Sequence, residues 1–449
     1  MHRNMLKPGC QCSTLSGSTY NITAFLGGGG QGEVYCAKSK DDHRDVAIKY
    51  YFPHQANDQQ RKRIETLISS GPPSELFIWP EAVVTSVGEG INSWGYVMPL
   101  RDKRFKGFNE LMRGDIPLSL KTKLTICYNM ACAFHALHTK GLCYSDISFG
   151  NGFFDPSNGD FVAIDNDNVT INNDSEYQGV LGTPDFMAPE VIRGQVKTSQ
   201  LTDLHSLAVL IFYILMISHP LYGKRLLSIH CLDLHARNLL CGANPLFIFD
   251  PVDQTNRALP DEDDPYGECG CNALFFWPQI PKEIQSLFMK TFTVGLNDPN
   301  QRARTSEWRK ALIEARDKLF YCSRCAWEST YIDDQVGNSA GTCLRCGARL
   351  QSPLKLIFES KPKHPVMLNH DTRLYYHHIS DKTWDIQNSV AELNQHPKLK
   401  IWGLKNTSQR AWNVLFSDGK LQVIEPGRSC PIIPGAQIDF GHKRRATIV

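Results

Sequence analysis

Two short polar turns carry the side chains best suited to chemistry. One is Asp146-Ile147-Ser148-Phe149-Gly150-Asn151, at the end of an apolar segment; the other is Asp165-Asn166-Asp167, after the β-like run Phe161-Val162-Ala163-Ile164. A strand, a tight turn and a second strand return the chain to one place, so the oxygens of Asp146, Asn151 and Asp165 can converge. Taken locally, the same residues could equally mark two polar turns between strands. Upstream, Leu26-Gly27-Gly28-Gly29-Gly30-Gln31-Gly32-Glu33-Val34 is a glycine run. Glycine lets backbone N–H groups approach phosphate oxygens with no Cβ in the way, although such a run also serves as a flexible turn. Downstream, Cys322, Cys325, Cys343 and Cys346 follow C-x2-C-x17-C-x2-C. Two such knuckles place four thiolates on one tetrahedral zinc. A redox dithiol would need one pair in a thioredoxin-like setting, which is missing.

The elements around these residues decide between the local readings. After the glycines comes a strand-like run, Glu33 to Lys38, then the polar turn Asp41-Asp42-His43 and the run Val46-Ala47-Ile48-Lys49. A dinucleotide-binding fold would instead pass directly from its glycines into a helix. Asp58 to Ile68 reads as a short polar helix stopped by Ser69-Ser70-Gly71-Pro72-Pro73. Leu118 to His138 reads as an amphipathic helix leading into the first acidic turn. The helix opened by Thr202-Asp203 is hydrophobic nearly all round and must be buried.

In this order the motifs resemble those of protein kinases. The glycine run satisfies G-x-G-x-x-G-x-V at Gly27, Gly29, Gly32 and Val34, and Val46-Ala47-Ile48-Lys49 is the family's V-A-I-K tetrapeptide. Gly182-Thr183-Pro184-Asp185-Phe186-Met187-Ala188-Pro189-Glu190 is close to the end of a serine/threonine kinase activation segment, and Asp298 to Trp308 is similar to the close of that domain. The resemblance implies that Asp146 takes the proton of the attacking hydroxyl while Asn151 and Asp165 hold magnesium or manganese against ATP. Lys49 would grip the phosphates and Glu65, on the polar helix, would orient it. Ala47, Met98 and Leu100 would face adenine, Thr183 would sit near Asp146, Asp203 would bond to the catalytic loop, and Arg302 would pair with Glu190.

Three positions depart from the pattern. The usual H-R-D is Tyr144-Ser145-Asp146, which removes the arginine that would receive an activating phosphate. Ser148 stands where a basic residue is usual, and the glycine of D-F-G is Asp167. Asp167 could be an extra metal ligand or could rigidify the turn. The alternative to an active kinase is a nucleotide-binding pseudokinase scaffold with the same fold and partners.

The chain of 449 residues, 42% hydrophobic and 21% charged with a formal charge of +2, is that of a folded multidomain protein with no strong field for nucleic acid or membrane. The expected fold class is multidomain α+β: a bilobal protein-kinase fold (small lobe 1–103, large lobe 104–318), a zinc ribbon (319–352) and an all-β sandwich (353–449). The sandwich is read from β-like runs at Leu354–Phe358, Arg373–Tyr376, Lys400–Leu404 and Trp412–Phe416. Its last strands are similar to those of forkhead-associated domains, without a convincing phosphothreonine-reading pair. With only Arg324, Arg345 and Arg349 adding charge, the ribbon suits protein docking better than nucleic acid. The order of the three parts resembles the kinases of tellurite-resistance-associated (TerY-type) triads. That resemblance implies a von Willebrand A-type protein and a metal-dependent phosphatase as partners. The N-terminus has no apolar signal region, and the longest apolar run, Leu207 to Ile217, is too short to span a bilayer, so a cytoplasmic location is expected.

Overall fold

The computed structural model describes residues 4–87, 93–174, 179, 181–265, 267–331, 339–380, 384, 386–441 and 444–449. His442 and Lys443, in a basic cluster near the C-terminus, lie outside them. The chain forms two compact units, Met1–Trp277 with Gln285–Lys310, and Pro278–Ile284 with Ala311–Val449. The divide expected at 318–319 therefore falls inside the second unit.

The first unit opens with six antiparallel strands: β1 (Gln11–Thr14), β2 (Thr19–Gly28), β3 (Gly32–Ser39), β4 (Asp45–Tyr51), β5 (Ala82–Val87) and β6 (Gly95–Pro99). They close into a barrel in the order β1-β2-β3-β4-β6-β5. Closure leaves no long edge for another chain to pair with. Strand alternation puts Val46, Ile48 and Tyr50 into a core with Tyr35, Val84 and Val97, which leaves Lys49 and Tyr51 on the opposite face of β4. Backbone approaches β4 closely from both sides. A Cβ on Gly32 would lie 2.3 Å from the Tyr50 carbonyl oxygen, and one on Gly95 would lie 2.3 Å from that of Lys49. Helix α1 (Asp58–Ser70) follows β4, capped by the Asn57 side chain, which accepts from the Gln60 N–H; its buried residues are Ile64 and Leu67.

Helices α2 (Leu120–Thr139) and α3 (Gln200–Met216) form the centre of the larger lobe. Ser119 and Ser199 cap them, each accepting from a backbone N–H three residues on. As its composition requires, α3 is buried along almost its whole length. In the hairpin β7 (Gly152–Phe154) and β8 (Phe161–Ala163), Gly152 pairs with Ala163, so the first acidic turn, which precedes β7, and the second, which follows β8, lie at the same end. Near the end of the unit, the fully buried Arg302 guanidinium makes two parallel 2.7 Å hydrogen bonds to the Glu190 carboxylate.

In the second unit, the strand pairs Leu319–Tyr321 with Glu328–Thr330 and Ser339–Thr342 with Arg349–Gln351 present the two cysteine knuckles. Phe320, Leu350 and Met367 pack beneath them. A six-stranded and a four-stranded antiparallel sheet follow. Leu356, Val414 and Ile438 of the first share one core with Leu374, Val390 and Leu404 of the second, which is the expected sandwich. The run at Tyr376 departs from that expectation, because the strand ends at Tyr375 and Tyr376–Ile379 is a helical turn.

Candidate active site

The two acidic turns meet through backbone that is held from several directions. The Asp203 carboxylate, in the first turn of α3, accepts from the N–H of Tyr144 at 2.7 Å and of Ser145 at 3.1 Å. His138 Nε2 lies 3.0 Å from the same carboxylate. Ser145 has φ +72° and Asp165 φ +58°, both in the left-handed region. Such values are uncommon outside glycine and cluster at functional sites, where the surroundings hold them. The Tyr144 hydroxyl donates to the Ile164 carbonyl, so a buried phenol ties one turn to the other.

Asp146 has both carboxylate oxygens engaged. Thr183 Oγ1 donates to Oδ1 at 2.8 Å, and Asn151 Nδ2 donates to Oδ2 and to the Asp146 carbonyl, each at 2.9 Å. Because the Asn151 amide nitrogen faces Asp146, its acceptor oxygen is left as the ligand atom. Ser145 Oγ lies 2.9 Å from Thr198 Oγ1, where the family's arginine would stand, and Ser148 is buried.

Lys49 projects from β4 into an acidic pocket. It forms ion pairs with Asp165 and, at 2.8 Å, with Asp167, and donates to Gln31 Oε1 of the glycine turn at 3.1 Å. Burial works to lower its pKa, but the Asp167 and Asp165 charges more than reverse this and hold the ammonium above its ordinary value. Asp167 is fully buried, and burial acts to raise its pKa. The Lys49 ammonium and the Tyr51 hydroxyl, which donates to it, outweigh that effect and keep its pKa low. Asp165, which is partly exposed, is pushed up to about 6 by burial and the adjacent Asp167 charge, against the pull of Lys49.

Glu65 requires a correction. It was expected to orient Lys49, but in this structure its ion pair is with Arg61, one turn back on α1, and its side chain is 45% exposed. The cause is helical rotation: Ile64 and Leu67 mark the inward face, and Glu65 is turned about 100° from Ile64. The α1 residue that reaches inward is Gln60, whose amide donates to the Tyr51 hydroxyl and the Asp167 carbonyl, both at 3.2 Å. The carboxylate accompanying Asp165 at Lys49 is that of Asp167, at the position of the family's glycine. The sequence signal for it was an acid two residues after Asp165, combined with a helix whose apolar stripe excludes Glu65.

The remaining site residues line the same β face. Val34 pairs with both Gly27 and Lys49 across neighbouring strands, and Ala47 pairs with Met98 near the end of β6, with Leu100 just beyond it. A Cβ on Gly27, Gly29 or Gly30 would meet nothing within 4 Å, so the glycine turn stands open above Lys49. ATP with a hard divalent cation fits this donor set: oxygens from Asn151 and Asp165, a lysine ammonium and an open glycine turn. The fully buried Asp167 Oδ1 also has no hydrogen-bond partner.

In the second unit, Cys322 and Cys346 sulfurs lie 3.7 Å apart and those of Cys325 and Cys343 3.6 Å apart. Four ligands at about 2.3 Å around a tetrahedral ion would be about 3.8 Å apart. The cluster therefore fits zinc, with all four sulfurs within 4.8 Å of one another.

Comparison with known proteins gives a consistent result. The family profile described as the protein kinase domain matches residues 20–308. Serine/threonine-protein kinase PknD of Chlamydia muridarum is 24% identical over 338 residues, covering 65% of this chain and 31% of that protein. PrkC of Bacillus subtilis is 26% identical over 229 residues, covering 48% and 33%. The DNA damage-responsive serine/threonine-protein kinase RqkA of Deinococcus radiodurans is 27% identical over 220 residues, covering 47% and 31%. The chain spans at most about a third of the length of these curated relatives. Among the described residues no helix is long and apolar enough to cross a membrane.

Proposed function

Because residues 20–308 make this chain a member of the protein kinase domain family, we propose that it transfers the γ-phosphoryl group of ATP to serine or threonine hydroxyls of protein substrates. The observation that carries this reading is the Asp146 carboxylate, fixed by Asn151 and Thr183 beside the Lys49–Asp165 pair. Asp146 orients the acceptor hydroxyl and takes its proton. Lys49 moves from its carboxylates onto phosphate oxygens, the N–H groups of Gly27, Gly29 and Gly32 cover the phosphates, and Met98 and Leu100 border adenine. Asn151 and Asp165 would hold magnesium or manganese, which when bound offsets phosphate charge.

Asp167 takes the orienting role first expected of Glu65. Asp167→Asn should therefore lower kcat/KM for ATP by roughly ten- to a hundredfold, the range for losing a partner that positions a liganding group. Glu65→Gln should change it by less than about fivefold, since an exposed ion pair contributes at most about 1 kcal/mol. Steady-state kinetics on both variants decides this, and the reverse ranking would return the role to α1.

The four cysteines hold structural zinc, and the sandwich, forkhead-associated-like in its final strands, docks proteins. The order of the parts supports a von Willebrand A-type protein and a metal-dependent phosphatase as partners, in bacterial phosphosignalling of the tellurite-resistance type. Four cysteines as zinc ligands and eleven as free thiols suit the reducing cytoplasm. The test is mass spectrometry of an acceptor protein after incubation with ATP, magnesium or manganese and either wild type or Asp146→Asn. Phosphoserine or phosphothreonine made by wild type alone supports the kinase. No phosphate from either protein, with nucleotide still bound, would favour a scaffold.

A further inference from the structure

A second cluster of metal-ligating side chains lies in the second unit, with no role in phosphoryl transfer. Helix α4 (Thr305–Asp317) ends at Asp317, and the helical turn Tyr376–Ile379 carries His377 and His378. Asp317 Oδ2 lies 3.1 Å from His378 Nε2 and 3.6 Å from His377 Nε2, and one ligand atom from each residue falls within 4.8 Å of the others. The centroids of the two rings are 3.8 Å apart, with the rings tilted 37° to each other.

His377 distinguishes this cluster from an ordinary buried histidine–aspartate contact. It is 4% exposed, yet neither ring nitrogen has a hydrogen-bond partner. Buried polar groups are nearly always satisfied, and an orphaned one is commonly explained by an ion or water. His378 Nδ1 accepts from the Tyr375 N–H at 2.9 Å, which leaves its proton on Nε2, facing Asp317. The Tyr375 carbonyl is 3.2 Å from the same Nδ1, so a metal at Nε2 requires the ring proton to move to Nδ1 and be donated to that carbonyl. Nitrogen and oxygen ligands at about 2.0 Å from a tetrahedral ion would be about 3.3 Å apart. The 3.1 and 3.6 Å separations bracket that value.

We propose that Asp317, His377 and His378 bind a divalent transition metal of the zinc class, as a site chemically distinct from the four-cysteine cluster. Two imidazoles and one carboxylate suit zinc and its borderline neighbours rather than calcium or magnesium. Asp317 keeps 17% of its side chain exposed, so the cluster is reached from solvent through this residue. Binding ties together residues sixty positions apart in sequence, the end of α4 and the end of the strand Arg373–Tyr375.

The test is a cobalt(II) titration of the full-length chain, stripped of metal under reducing conditions, in excess magnesium to occupy oxygen-ligand sites. Wild type should take up two equivalents: one with sulfur-to-metal charge transfer, and one with only the weaker ligand-field bands of nitrogen and oxygen donors. His377→Ala should lose the second signal and Cys343→Ser the first, each halving the metal content. A single equivalent in wild type, all of it with thiolate charge transfer, overturns the proposal without reliance on any variant folding. Two equivalents retained by a folded His377→Ala protein would overturn it as well.

Discussion

Asp146→Asn is expected to lower the rate of phosphate transfer by roughly 10²–10⁴-fold, the contribution of a positioned general base. The substitution keeps the size of the side chain, and an amide can still accept from Thr183 Oγ1. It cannot take a proton, and it faces the Asn151 amide with competing donors. Lys49, Asp165 and the glycine turn do not depend on the Asp146 charge for their contacts, so KM for ATP should stay within about threefold. The drop then appears in kcat alone, the signature of an interaction made in the transition state. Initial-rate measurements at saturating and limiting ATP separate the two parameters. A kcat within tenfold of wild type would remove Asp146 as the base.

The second large effect concerns stability. Arg302 is fully buried, binds both Glu190 oxygens at 2.7 Å, and donates further to the carbonyls of Gly295 and Leu201. Arg302→Ala strands the Glu190 carboxylate in the interior, which costs about 3–5 kcal/mol. Set against total stabilities of about 5–15 kcal/mol, that is a large share. Arg302→Lys retains the charge but not the two-pronged geometry and should recover only part of the loss. A chain with two compact units need not unfold in one step, so hydrogen exchange at amides of α3 is the suitable readout. Arg302→Met combined with Glu190→Met should be less destabilised than the sum of the single changes, because no lone charge remains. A loss under about 1 kcal/mol for Arg302→Ala would show that the pair is not a stability determinant.

The features legible in the sequence are those whose partners follow from short spacing or from a family motif. Asn151 reaches Asp146 across one turn, Asp203 caps the loop from the start of a helix whose burial its composition announces, and the cysteine knuckles carry their geometry in their spacing. The partner of Lys49 was not legible in this way, because it depends on the rotation of α1, where one residue separates an inward side chain from an outward one. Gln60 and Ile64 turn in and Glu65 turns out, and Asp167 supplies the buried charge. The Asp317–His377–His378 cluster is not legible in the sequence for a different reason. Its members are brought together only by the packing of the second unit, and no local pattern links them.

The glycines beside β4 bear on how this protein can change by mutation. Gly29 and Gly30 face open space, whereas Gly32 and Gly95 touch the backbone of the lysine-bearing strand. Substitutions at the first pair remain compatible with the barrel and are felt only where nucleotide enters. At the second pair even a methyl group displaces the main chain on which Lys49 sits. Selection for a folded barrel therefore guards Gly32 and Gly95 even in a lineage that has stopped phosphorylating. Gly29 and Gly30 are free to drift once nucleotide no longer matters, so variation there, set against constancy at Gly32 and Gly95, would record the loss of the activity.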